Sequence, residues 1–191
     1  MDLSMNEVEA QARKAAKGAD YSWGEAEDIG KAVRWLCKRG VNGCEHLAQL
    51  LLAKPDPKNC PIRLGILILD NAKNLGDTLT SFGSVAEPAL VIPFAAFASA
   101  QIERPLAIQA GKCSVIVSES AFEITGEPMR NKSVIEVKAT AKSPKLMTSV
   151  SRASPQRETW ETLDKFAHRT YAPATEESRM LGAGAGISDN D

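Results

Sequence analysis

An α+β fold is predicted for this chain by three observations. Helical periodicity fills the first third, alternating apolar and polar residues dominate the stretch from Pro105 to Ala139, and a further helical stripe follows Ser154. The expected architecture is an N-terminal helical subdomain, a small mainly antiparallel sheet, a closing C-terminal helix and a glycine-rich tail. The corresponding boundaries are 1–54, 55–173 and 174–191, with one compact unit expected. No internal repeat at a solenoid period is visible.

Taken in order, Ser4-Met-Asn-Glu7 is a capping-box pattern, because the serine hydroxyl can accept the N3 amide while the glutamate reaches back. Val8, Ala12, Ala15 and Ala16 then recur at helical spacing, and Gly18 is a natural stop. Ser22-Trp-Gly-Glu25 repeats the pattern, with Ala26, Ile29, Val33 and Leu36 on one face and Gly40 as terminator. Glu45–Ala53 predicts a third helix, which stops before Pro55. The turn formers of "KPDPKNCP" separate this unit from the rest. "IRLGILILD" reads as a buried strand, since it is short, apolar and rich in isoleucine. "NAKNLGDTLTSFG" fits either a short helix or an irregular connection.

Proline at a helix start followed by alanines predicts a helix over Pro93–Gln101. "PLAIQA", "KCSVIVSE", "AFEIT" and "SVIEVKAT" then read as strands parted by turn residues. Ser114–Val117 and Ser133–Val137 are expected to be antiparallel neighbours. Ser154 as cap and Pro155 at the first helical position open the closing helix, which carries Trp160, Leu163, Ala167 and Tyr171 on one stripe.

Composition narrows the function classes. The 191 residues have a formal net charge of −1, so no global field steers the chain to nucleic acid or a membrane. The most apolar run, "PALVIPFAAFASA", is too short to span a bilayer and contains Pro93. No apolar leader marks the N-terminus, and a cytoplasmic protein is expected. Cys37, Cys44, Cys60 and Cys113 form no C-x-x-C pair and only two histidines accompany them, so free buried thiols are expected and no metal site is assigned. No cofactor is indicated.

The segment "ESRMLGAGAGISDND" is the most distinctive stretch. If extended, it would place Gly182, Gly184 and Gly186 on one face as bare backbone. Ordering such a segment costs about 1–2 kcal/mol per residue for the backbone alone, so a receiving surface must offset that cost or the segment stays mobile. Two working arrangements are open beside a solvated tail. In one, Ser178, Arg179 and the glycine amides hold a small anionic ligand. In the other, the segment enters a groove on this chain or on a protein partner, where Asp189, Asp191 and the terminal carboxylate meet cations. The motif lacks the lysine and hydroxyl residue of a phosphate-binding loop.

Charge is segregated: Lys138, Lys142, Lys145 and Arg152 lie in an acid-free stretch, while the tail carries Glu176, Glu177, Asp189 and Asp191 against Arg179. Body and tail could associate, or the basic stretch could meet an acidic partner. No aromatic residue interleaves the basic ones, which argues against nucleic acid. Asp164 and His168 share a helical face four residues apart, half of a general-base arrangement without a nucleophile at fixed spacing. His46, beside Glu45, reads as an ordinary helix residue. Trp23 could stack a ligand or pack, and Gly24 and Gly30 in the same helix suggest close approach of another element, near which Trp23 and Trp35 are expected to pack.

"LSMNEVEAQARKAAKGADYSWGEAEDIGKAVRWL" together with "RTYAPATEESRMLGAGAGISDND" resembles an uncharacterised bacterial family, domain-of-unknown-function family 3726. The resemblance spans nearly the whole chain, with its most specific pieces at the two ends. It implies that the tail is a working part, and it supplies no activity and no catalytic or binding residue to carry over. The leading expectation is an accessory or small-ligand-binding module acting with a metabolic enzyme through the tail, with a homo-oligomer compatible. The competing expectation is a small hydrolase or metal-dependent enzyme using His168 with Asp164, or the terminal aspartates with a divalent cation.

Overall fold

Two reciprocal capping boxes start the chain's first two helices. In the computed structural model, which describes residues 1–170 apart from 128, 130–131 and 146–148, the Ser4 hydroxyl accepts from the Glu7 amide at 3.2 Å while the Glu7 carboxylate accepts from the Ser4 amide at 2.8 Å. Ser22 and Glu25 repeat the arrangement at 3.2 and 2.9 Å. These boxes begin α1 (Met5–Gly18) and α2 (Trp23–Lys38), which follow the two-residue strand β1 (Leu3–Ser4). α3 (Gly43–Ala53) starts two residues before its expected position, on Asn42, whose side chain makes no cap bond.

α4 (Pro61–Asp70) corrects the strand expected at "IRLGILILD". Pro61 sits at the first helical position, and Pro61, Leu64, Gly65 and Ile68 are buried at the i, i+3, i+4, i+7 spacing of a helix face. Isoleucine content pointed to a strand, but a face that meets another helix selected the 3.6 period. The ambiguous stretch after it holds a 3₁₀ turn, Ala72–Asn74, and a strand, β2 (Thr80–Ala86), neither a helix nor an irregular connection throughout. β2 lies at a sheet edge, fully buries only Val85 and shifts register between Ser81 and Gly83, so it lacks clean alternation.

α5 (Ile92–Ile102) is buried along most of its length, from Ile92 to Ser99. It packs on α2, α4 and the sheet strands β3 (Leu106–Ala110) and β4 (Cys113–Val117). β5 (Phe122–Gly126) and β6 (Lys132–Ala139) complete a five-stranded antiparallel sheet of order β2-β6-β3-β4-β5. β4 and β6 therefore flank β3 and run the same way, which corrects the expectation that they pair with each other. The two-residue Gly111-Lys112 turn, with Gly111 at φ +62°, hands β4 to β3 first.

β7 (Arg152–Ala153) pairs with β1 and draws the C-terminal region across the N-terminus. α6 (Arg157–His168) consequently begins after Gln156, and Ser154-Pro155 belong to the strap before it rather than to the helix. Leu163, Phe166 and Ala167 are its buried face, with Trp160 half-buried; the expected last stripe position, Tyr171, lies outside the described residues. One hydrophobic cluster runs from Met5 through Phe94 to Phe166, so this is an α+β fold. No described helix is long and apolar enough to cross a membrane.

Gly30 and Gly24 behave differently. A Cβ on Gly30 would lie 3.0 Å from the Glu9 carbonyl oxygen, so α1 and α2 do meet closely there. Gly24 has nothing within 4 Å of that position. Trp35 packs on Phe122 with ring centroids 5.7 Å apart, and Trp23 is 66% exposed, so neither lines the Gly30 contact. Gly24→Ala should raise stability by up to about 1 kcal/mol through helix propensity alone; a urea titration showing no gain would mean that the position is not open.

Candidate functional site

Charged and polar groups gather around a hollow where two chain reversals meet the end of α6. α1 ends against α6, because a Cβ on Gly18 would fall 2.7 Å from the Phe166 carbonyl carbon. The chain then turns through Asp20 at φ +70°. α3 ends at Lys54, also left-handed at φ +41°, and Pro55, Pro57 and Pro61 steer the chain into α4. Between these turns and the end of α6 lies a cavity of about 390 Å³.

Its charged lining comprises Lys54, Arg63 and Arg169 against Asp20 and Asp56. Arg63 donates to the Glu25 carboxylate at 3.0 Å. Burial pushes the Glu25 carboxyl up, but the Ser22 amide and hydroxyl and Arg63 outweigh it, holding the group below its ordinary value. Arg169 lies 4.4 Å over the Phe166 ring. No described carboxylate is within ion-pair distance of Lys54 or Arg169. At the wall, the Tyr21 hydroxyl is 3.5 Å from the Cys60 sulfur. Burial first, and that contact second, push the Tyr21 phenol well above its ordinary range, so it stays protonated and able to donate.

A second hollow of about 460 Å³ adjoins, sharing Asp20 and Arg169 and adding Lys17, Gly18, Trp23 and Thr170. Lys17 sits 5.1 Å from the Trp23 ring centroid and donates to the Tyr21 carbonyl at 3.2 Å. Trp23 is thus the one tryptophan placed at these hollows. Ser178, Arg179, Gly182, Gly184, Gly186, Asp189 and Asp191 lie outside the described residues.

Residues 3–79 match the model of a family described as a protein of unknown function (DUF3726). The chain is similar to the DUF3726 family over β1 and α1–α4, and all cavity-lining residues except Phe166 and Arg169 fall inside that span. The sheet, α6 and the glycine-rich segment fall outside it. No curated protein and no solved structure matches the chain.

Asp164 and His168 do meet, at 3.3 Å, with side chains 52% and 66% exposed on the helix surface. Asp164 also accepts from Gln11 at 3.1 Å. No described group of three or more histidines, cysteines or carboxylates could hold a metal ion. Of the four basic residues in the acid-free stretch, Arg152 is engaged by Asp2 at 2.7 Å.

The sequence missed the pairing of His46 with Glu87. His46 Nδ1 lies 2.9 Å from a carboxylate that is only 8% exposed and held at φ +43°. The Gln49 amide, turned with its nitrogen inward, donates to both Glu87 oxygens at 3.2 Å. Forty-one residues separate His46 from Glu87, so no local spacing signals them. The cluster fastens the turn before α5 to α3. The cavity's cations were also missed, because Lys54, Arg63 and Arg169 converge only through the packing of α6 on α1 and α3.

Proposed function

We propose that this chain is a binding module for a small anionic ligand, held in the 390 Å³ cavity between the α3–α4 connection and the end of α6. The observation that carries the reading is the convergence of Lys54, Arg63 and Arg169 on a hollow with a protonated tyrosine in its wall. Glu25 holds Arg63, while Lys54 and Arg169 line the hollow without a described ion-pair partner, and guanidinium groups offer forked donors to a phosphate or carboxylate. The volume suits a small metabolite.

The glycine-rich segment supplies the contact element in this reading. Thr170, the last described residue before that segment, lines the adjoining hollow. Ser178, Arg179 and the amides of Gly182, Gly184 and Gly186 would add donors to the ligand, while Asp189 and Asp191 would meet a cationic surface on a partner such as a metabolic enzyme. Trp23 stands beside the entry as an apolar wall.

Calorimetry and thermal melts of the full chain with phosphate, pyrophosphate and small dicarboxylates test the reading. A genuine ligand at a hundred times its Kd adds about 2.7 kcal/mol, roughly 5–10 °C in Tm. Lys54→Ala with Arg169→Ala should weaken binding at least tenfold. Truncation after Pro173 should weaken binding while leaving the unliganded melt unchanged. Binding indifferent to the double substitution would remove the cavity from consideration.

A further inference from the structure

A second constellation lies at the joint between α2 and α3, at the opposite end of α3 from Lys54. Cys37 occupies the last turn of α2 and Cys44 the first turn of α3, and their sulfurs are 4.0 Å apart. Gly40 at φ +74° reverses the chain between them. A Cβ on Gly43 would lie 2.8 Å from the Val33 carbonyl oxygen and 3.3 Å from the Cys37 sulfur. Glycine at 43 is therefore what lets the start of α3 press against the end of α2.

Gly43 and Cys44 form the first turn of α3, so the positive end of that helix lies against the Cys37 sulfur. Both thiols are buried, yet a cleft of about 270 Å³ opens onto them beneath the strap leading into β7, between Val41, Asn42, Val150 and Arg152. Arg152 is the one charged side chain described in that lining, and Asp2 pairs with it. Glu45, next along α3, accepts from Asn42 at 2.7 Å. Cys60 and Cys113 have no thiol partner at such a distance.

We propose that Cys37 and Cys44 form a redox-active dithiol, which a peroxide-class oxidant entering this cleft converts to a disulfide. The Cys37 thiolate attacks the peroxide; an S–O bond forms, the O–O bond breaks, and the departing hydroxide takes a proton from solvent. The Cys44 sulfur then attacks the sulfenic acid. The S–S bond forms as the S–O bond breaks, and the leaving hydroxide takes the Cys44 proton as water. Each sulfur is oxidised by one electron while one peroxide becomes two waters. Geometrically, the sulfurs must close by about 2 Å.

Environment assigns the two roles. The hydrogen bond with the Cys44 thiol first, and the amides at the start of α3 after it, outweigh burial and bring Cys37 down to about 7. The same hydrogen bond, with burial, pushes Cys44 up. Cys37 attacks and Cys44 resolves.

The test uses the full chain, hydrogen peroxide, rapid alkylation and tryptic mass spectrometry. Cleavage at Arg34, Lys38, Arg39 and Lys58 separates the two cysteines, Lys54 being protected by Pro55. The expected product is the Trp35–Lys38 peptide linked to Gly40–Lys58, lighter by two hydrogens and returned by dithiothreitol. Oxidation of Cys37 should accelerate about tenfold between pH 6 and pH 8, following its thiolate fraction, while Cys113, whose thiol burial pushes up, stays reduced. Cys44→Ser should stop at a sulfenic acid on Cys37 that dimedone traps. Equal oxidation rates at Cys37 and Cys113 in the unsubstituted chain, or absence of the linked peptide, would overturn the proposal without recourse to a variant.

Discussion

Phe94→Ala should cost about 4 kcal/mol, because it empties the largest fully buried side chain of the core. Phe94 lies on α5, the helix that touches α2, α4 and the sheet at once, so collapse around the vacated space would have to move several elements together. Its ring fits because position 65 on α4 is glycine: a Cβ there would overlap the Phe94 ring and lie 2.9 Å from its Cβ. Gly65→Ala is accordingly expected to destabilise by about 1–3 kcal/mol, despite alanine's better helix propensity. The two residues form one lock. In the double substitution, the new methyl fills part of the space the ring left, so the combined loss should be smaller than the sum, with a coupling of about 0.5–3 kcal/mol. Urea unfolding of the four proteins closes the cycle. Strict additivity would show that the two sites do not touch as described. Against a total stability of about 5–15 kcal/mol, Phe94→Ala should lower Tm by roughly 8–16 °C.

Gly18→Ala should be comparably damaging and should also affect binding. Here the obstruction is backbone: an added methyl would run into the Phe166 carbonyl, which cannot rotate away as a side chain can. The end of α1 and the end of α6 must separate, at about 3 kcal/mol, less the helix-propensity gain of up to about 1 kcal/mol. Phe166 and Arg169 also line the cavity, so the same displacement should weaken anion binding beyond what the fraction of folded protein explains. Calorimetry well below the variant's melting temperature separates the two effects. Retention of full affinity and a Tm within a degree of the parent would show that the α1–α6 contact is looser than it looks.

The residues that carry these expectations differ in how visible they were. Gly18 was legible as a helix stop, since glycine after an amphipathic run signals a C-terminus. Its closeness to Phe166 was not, because 147 positions intervene. Of the candidate site, Trp23 alone was singled out from sequence and lies at a hollow; the cavity's own cations sat unnoticed among ordinary surface residues. Cys37 and Cys44 were read as separate buried thiols, and the glycine at 43 that brings them together carried no local mark.

Local chemistry by itself determined the start of α1 and α2, where a hydroxyl and a carboxylate three residues apart satisfy each other's amides whatever surrounds them. It determined the helix of Ile92–Ile102 and the strands from Leu106 to Ala139, since proline geometry and two-residue alternation are properties of the chain itself. Tertiary structure alone decided that "IRLGILILD" is a helix, because a uniformly apolar run satisfies either period until a neighbour chooses the face. It alone decided strand order, because alternation fixes which side of a strand is buried and leaves its partner open. The cavity and the His46–Glu87 pair belong to that second class, since each joins groups far apart in sequence; the opposed thiols are only seven residues apart, but it is the packing of α3 against α2 at Gly43 that sets them face to face.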